Sequence, residues 1–310
     1  MKITDVETCI SKYLAHCEHQ KQLSAKTIKA YRIDLKQYLA FAVEREEPLE
    51  RAVLLDYIAN LHATFQPKTA KRKIACLKAF CAWLEYEELL SINPFQKIQT
   101  KFREPFRLPR TIPIEQIQLL LNAAYTAQEK AQTPYQRMVL LREIAVLELL
   151  FATGVRVSEL CSLRLENVCL GEGLIKIYGK GAKERLIQIG NSDVLDALHV
   201  YHSAFSGEIQ QLGWFFTNRL GNCLSEQSVR DIILKHASAC GLTLRITPHM
   251  FRHSFATLLL EEDVDIRYIQ KMLGHSSIVT TQIYTHVTAK KQKDILTAKH
   301  PRNRLVVNPR

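Results

Sequence analysis

ITPHMFRHSFATLLL, residues 246 to 260, is the stretch on which the reading of this chain turns. Thr247 is a helix-capping residue type and Pro248 suits a first helical position, so a helix is expected to start here. His249 and Arg252 are three apart and point to one side of its first turns. His253 lies one turn beyond His249, and Phe251 and Phe255 form an apolar pair on another face. A helix N-terminus attracts anions through its free N–H groups, and an arginine with an imidazole added there makes a phosphate site. The plainer alternative is an amphipathic helix with a threonine cap.

The chain around this stretch has 310 residues, room for two domains. It is 47% hydrophobic with 11 Gly and 10 Pro, a globular composition. Its net charge of +11 favours a polyanionic partner, nucleic acid before membrane. No apolar run is long enough to span a bilayer, and the opening MKITDVETCI lacks the apolar core of a signal peptide. A soluble, cytoplasmic protein is therefore expected. No two of the eight cysteines form a C-x-x-C pair, which argues against a zinc knuckle and for reduced thiols.

Residues 1 to 100 read as helices throughout. Apolar residues keep helical spacing over 3–19, Ser24 caps the next helix, Pro48 opens a shorter one, and Pro67 opens another. The first half of that last helix carries Lys68, Lys71, Arg72 and Lys73, with no acid between Gln66 and Trp83. Most charge runs are solvated faces, but this imbalance points to a face that meets DNA. Residues 93–113 carry four prolines and five basic residues and read as a linker. The expected division is a helical domain over 1–100, a linker over 101–112 and a second domain over 113–310.

In that second domain, helices are expected over 113–124 and 137–151, with a polar loop over 127–136 between them. The period changes at 174–190, where LIKIYGKGAKERLIQIG predicts two strands joined by a Gly-flanked hairpin. Trp214-Phe-Phe is the only other strand signal. Helices are expected again from about Asp193, over 225–239 and from Thr247.

Several basic, histidine and tyrosine positions sit beside local structural breaks, where functional residues often occur. Arg156 follows Thr153-Gly154, Lys180 lies at the hairpin tip, and His275 follows Leu273-Gly274. Tyr284 stands in TTQIYTHV, nine residues beyond His275. Each has an ordinary alternative: Arg156 can pair with Glu159, Lys180 can be a solvated turn, and His253 or His275 can be structural.

Taken together, ATGVRVSEL, GKGAKER, HMFRHSFAT and LGHSSIVTTQIYTHV closely resemble, in order and spacing, the signature boxes of the tyrosine site-specific recombinases. SAKTIKAYRIDL near the N-terminus is similar to that family's core-binding domain. The Xer branch is the most similar, helped by IYTHV at 283–287 and HPR at 300–302. The resemblance implies a mainly α protein: an all-helical core-binding domain, then a mostly α catalytic domain with a small antiparallel β-sheet. It implies Arg156, Lys180, His249, Arg252 and His275 as active-site residues and Tyr284 as nucleophile, with His253 structural. It implies double-stranded DNA with inverted half-sites as substrate, and a homotetramer on two DNA sites or a paired recombinase. The polar stretch 127–136 is longer than a compact Xer protein implies, which leaves recombinases of mobile elements open.

The residue types suit that chemistry. Transferring a phosphodiester without metal requires neutralising the nonbridging oxygens, which two arginine forks do. A tyrosine hydroxyl has a free pKa near ~10 and needs a positive field and a base, for which His249 serves. A lysine on a hairpin can protonate the leaving 5′ oxygen. Neither metal nor ATP is required, and no phosphate-cradling P-loop motif is present. Three other readings compete. A type IB topoisomerase uses the same chemistry. A zinc hydrolase on His249, His253 and His275 leaves Arg156, Lys180 and Tyr284 without a task. A non-catalytic DNA-binding protein needs a decayed site, yet every catalytic position is filled.

Overall fold

The computed structural model describes residues 3–100, 109–179 and 184–274. The chain divides into two compact units, Met1–Phe106 and Arg107–Arg310.

The first unit is built from four helices: α1 (Ile3–His19), α2 (Ala25–Ala42), α3 (Arg51–Thr64) and α4 (Pro67–Tyr86). Ser24 starts α2 by accepting the Thr27 amide at 3.3 Å. Pro67 takes the first position of α4, where its missing N–H costs nothing. Tyr13, Leu35, Tyr38, Leu54, Leu61, Phe80 and Leu84 are fully buried between these helices. Each such side chain contributes roughly 1.5–3 kcal/mol by leaving water.

Two details depart from the sequence reading. Pro48 does not open a helix: its carbonyl accepts the Tyr38 hydroxyl, and α3 starts at Arg51. The proline-rich stretch is also not a linker from residue 93. Asn93 caps a 3₁₀ turn over Pro94–Lys97, and Phe95 and Ile98 are buried in this first core. The apolar residues at 95 and 98 outweigh the helix-breaking prolines around them. At the far end, Ile112 belongs to the second unit: it is buried, and its amide donates to Ser254 Oγ at 2.7 Å.

The second unit is organised around α6 (Pro134–Thr153), which packs against α5 (Ile114–Glu129), α8 (Ser192–Ala204) and α11 (Pro248–Glu261). Every residue from Glu143 to Leu150 is buried. Two of those residues are carboxylates that need partners. Glu143 receives Lys235 Nζ at 2.7 Å and lies 2.7 Å from His236 Nε2, both on α10 (Glu226–Ala239). Glu148 receives the Tyr125 hydroxyl at 2.8 Å.

The expected loop over 127–136 is instead the junction of two helices. α5 continues to Glu129, and α6 begins at Pro134 behind a reciprocal cap between Thr133 and Gln136. The polar residues there are the exposed last and first turns of helices.

Three strands form one antiparallel sheet in the order β1 (Val168–Cys169), β2 (Leu174–Tyr178), β3 (Glu184–Gln188). The register places Ile175 opposite Ile187 and Ile177 opposite Arg185. Trp214-Phe-Phe does not join this sheet. Trp214 makes a single bridge to Arg164, whose guanidinium lies 3.3 Å from the indole centroid, and Phe215 and Phe216 are fully buried. Among the described residues the remaining α-helices are α7 (Val157–Cys161), α9 (Ser206–Leu212) and α12 (Ile266–Leu273). No helix among the described residues is long and apolar enough to cross a membrane.

Candidate active site

The site is assembled where α6 ends. Gly154 terminates that helix with φ +58°, the left-handed conformation that favours glycine. A side chain there has no room: a Cβ would lie 2.8 Å from the Phe255 ring and 3.1 Å from Leu273. Gly154 thus lets α6 end directly against α11 and α12. The two phenylalanines of α11 divide their work. Phe251 is buried in the main core, while Phe255 packs on a small cluster of Ala256, Ile269 and Leu273.

Arg252 is 4% exposed. It donates through Nη1 to Gly154 O at 2.8 Å and through Nη2 to Leu273 O at 2.6 Å. One guanidinium therefore ties the ends of α6 and α12 to the second turn of α11. Arg156 stands at the N-cap of α7. Its amide donates to Glu159 Oε2 at 2.9 Å and its Nη1 to Glu159 Oε1 at 2.7 Å. The pair with Glu159 anticipated as the ordinary alternative thus exists. It also leaves the Arg156 side chain about one-third exposed, with donors to spare.

Glu159 is shared. Arg185, on β3, donates to both its oxygens, at 3.1 and 2.6 Å, and through Nε to Met272 O at 2.9 Å. Burial alone would raise the Glu159 pKa, but the hydrogen bonds from Arg185 and Arg156 hold it below the usual carboxylate range. Arg185 was not singled out in the sequence. The available signal was alternation: residues 185 and 187 share the inward face of β3 and Ile189 just beyond it is buried too, so an arginine falls in an inward register.

His249 is on the exposed side of the first turn of α11. Burial of part of the ring, then the positive charges of Arg252, Arg156 and Arg230, lower its pKa below the ordinary histidine value. A neutral imidazole beside arginines is the form that can accept a proton. His253 is pushed lower still, to about 4, by burial and by His249 and Arg252. Thr247 occupies the N-cap position but makes no capping hydrogen bond with its side chain, contrary to the sequence expectation. Its extended backbone and Pro248 set the helix start without it.

Arg156, His249 and Arg252 thus share one region around Gly154. Lys180, His275 and Tyr284 lie outside the described residues.

In the first unit, the basic run on α4 separates into two faces. Lys68, Lys71 and Arg72 are exposed. Lys73 is not a DNA-facing residue: it is 3% exposed, pairs with Asp34 at 2.8 Å, also donates to Gln37, and lies 4.9 Å from the Phe65 ring centroid. Arg72 also pairs with Asp34, leaving its side chain 46% exposed.

Comparison with known proteins agrees with this architecture. The phage integrase family profile matches residues 110–291, and the profile of the phage integrase N-terminal SAM-like domain matches residues 10–88. A tyrosine recombinase of Agathobacter rectalis is 53% identical over 302 residues, covering 97% of this chain and 98% of the relative. The tyrosine recombinase XerD of Halalkalibacterium halodurans is 36% identical, covering 96% and 99%. Among solved structures, XerH bound to palindromic difH in a post-cleavage complex aligns over 93% of this chain and 84% of its own, with TM-score 0.73 at 20% identity. A lambda integrase dimer bound to a core site aligns over 90% and 76%, with TM-score 0.68 at 16% identity.

Proposed function

This chain belongs to the phage integrase family of tyrosine recombinases, and from that premise we propose that it cuts and rejoins DNA at specific sites through a covalent 3′-phosphotyrosine. Arg156 and Arg252 hold the nonbridging oxygens of the scissile phosphate. His249, kept neutral by its surroundings, takes the proton of the Tyr284 hydroxyl as that oxygen attacks phosphorus. Lys180 gives a proton to the departing 5′ oxygen, and His275 hydrogen-bonds the phosphate. The 5′-hydroxyl of a second strand then attacks the phosphotyrosine, releases Tyr284 and restores one phosphodiester for each one broken. The number of phosphodiester bonds is unchanged, so the cycle needs no ATP, and the two arginines take the phosphate charge that a metal would otherwise neutralise.

The observation that carries this reading is the position of Arg252, fixed to the ends of α6 and α12 with His249 one turn before it and Arg156 at the neighbouring cap. The substrate is a duplex with two inverted half-sites, bound by a tetramer of this chain across two such duplexes or by this chain with a paired recombinase. The exposed Lys68, Lys71 and Arg72 of α4 meet the DNA backbone. The role is Xer-like resolution, or integration and excision of a mobile element, carried out in the cytoplasm. Incubating the protein in EDTA with fragmented bacterial DNA, stopping with detergent and sequencing the protein-bound fragments tests this. Recurrent attachment at one inverted repeat supports it, whereas binding without any covalent attachment contradicts it.

A further inference from the structure

Arg185 uses all three faces of its guanidinium on protein atoms: Glu159 Oε1 at 3.1 Å, Glu159 Oε2 at 2.6 Å and Met272 O at 2.9 Å. Its side chain is 8% exposed, so it does not offer these donors to solvent. The same Glu159 carboxylate holds Arg156 by backbone and by side chain. Met272 is in the last turn of α12, and the next carbonyl, that of Leu273, is held by Arg252. Beyond it, Gly274 has φ +65°, and a Cβ there would meet the Arg185 side chain at 3.0 Å. The arginine thus lies against the point where the chain leaves α12.

We propose that Arg185 is a positioning residue for strand cleavage, fixing Arg156 through the shared carboxylate of Glu159 while pinning the last turn of α12. This deepens the recombinase reading above and rests on it.

The physical argument concerns what Glu159 would do without Arg185. A buried carboxylate with one partner seeks others, and the nearest cation is Arg156. Engaged at both oxygens by Arg156 alone, Glu159 would draw that guanidinium inward, away from a phosphate. With Arg185 taking part of both oxygens, Arg156 keeps one third of its surface free. A lysine cannot substitute fully, because its point charge lacks the planar fork that spans a carboxylate and a carbonyl together. Met272 O is the further acceptor that only the Nε–H satisfies. Groups that hold a catalytic side chain in place matter at this scale, since a misplacement of about 1 Å can cost about 100-fold in rate.

The experiment uses the full-length protein and a nicked DNA substrate that traps the covalent adduct. Adduct formation is followed in single turnover at saturating protein, DNA affinity is measured separately, and circular dichroism reports folding. Arg185→Gln is expected to slow adduct formation by about 100-fold with affinity retained, and Arg185→Lys to fall between it and the original. Lys176→Gln, which removes an exposed ion pair with Glu184 on the same hairpin, serves as the control and should keep the original rate. The deciding reading is a double-mutant cycle with Arg156→Lys, followed over long incubations. If Arg185 works through Arg156, Arg185→Gln costs far less in that background. Equal cost in both backgrounds, or an unchanged rate for folded Arg185→Gln, overturns the proposal. Should Arg185→Gln fail to fold, Arg185→Lys decides on the same two readings. An unmutated protein that forms no adduct would refute the recombinase reading itself, which separates the two failures.

Discussion

The Arg252 guanidinium donates to the carbonyl oxygen of Gly154 at 2.8 Å, linking two residues 98 positions apart in the chain. Gly154 accepts that bond in a left-handed backbone conformation, with the Phe255 ring filling the space a side chain would need. The glycine therefore does two things at once. It ends α6, and it presents a carbonyl that fixes a buried arginine.

Gly154→Ala should destabilise the second unit by about 2 kcal/mol or more, combining left-handed strain with overpacking against Phe255. Thermal unfolding followed by circular dichroism checks this. A melting temperature equal to the original would show that α11 and α12 can part without cost.

Glu159 gives a pH dependence with a defined sign. Its folded pKa is lowered by Arg185 and Arg156, so its contribution is present above the unfolded value of about 4.3 and is lost as pH falls through the folded pKa. Comparing melting temperatures of the original and Glu159→Gln across the acid range tests it. The two curves should converge as pH falls below about 4. A constant gap would mean the charge of Glu159 is not what stabilises the site.

His249 should titrate below the ordinary histidine value of about 6.5, because burial and then Arg252, Arg156 and Arg230 disfavour its charged form. Proton NMR of the imidazoles, assigned with His249→Gln, reads this directly. Arg230→Gln should move the midpoint up. A midpoint at or above the ordinary value would remove the basis for a neutral base at this position.

The two faces of α4 make opposite predictions. Lys68→Ala and Lys71→Ala should each weaken DNA binding and reduce the salt slope by about 1, with stability nearly unchanged. Lys73→Met should instead destabilise the first unit by on the order of 3 kcal/mol, because it breaks a buried pair with Asp34. A salt slope that falls for Lys73→Met and not for Lys68→Ala would reverse the assignment.

Much of this molecule was legible in its residues, for physical reasons that can be named. Helix α1 keeps one apolar stripe and its bounds are those the spacing predicts, 3–19. Ser24 and Pro67 mark helix starts through hydrogen bonding and fixed φ, and the alternation at 174–190 marks β2 and β3. What escaped reading is what depends on tertiary contact. Lys73 looked like one member of a charged run, yet Ala70, Cys76 and Leu77 around it at helical spacing are all buried. From Glu143 to Leu150 α6 is buried on every side, so no polar face announces its central place. The junction at 127–136 is polar because helix ends there meet solvent, and polarity alone cannot distinguish that from a loop. Arg185 sits in an inward register, but only its neighbours across α7 and α12 reveal what it holds.

In the proposed mechanism Tyr284 becomes covalently joined to DNA under the direction of Arg156 and Arg252. The most direct measurement is mass spectrometry of the protein after trapping on DNA, nuclease digestion and proteolysis. A nucleotide remnant on the peptide containing Tyr284, absent in Tyr284→Phe while that variant still binds DNA, is expected. A remnant on Tyr268 or any other residue, or an adduct that persists in Tyr284→Phe, would contradict it.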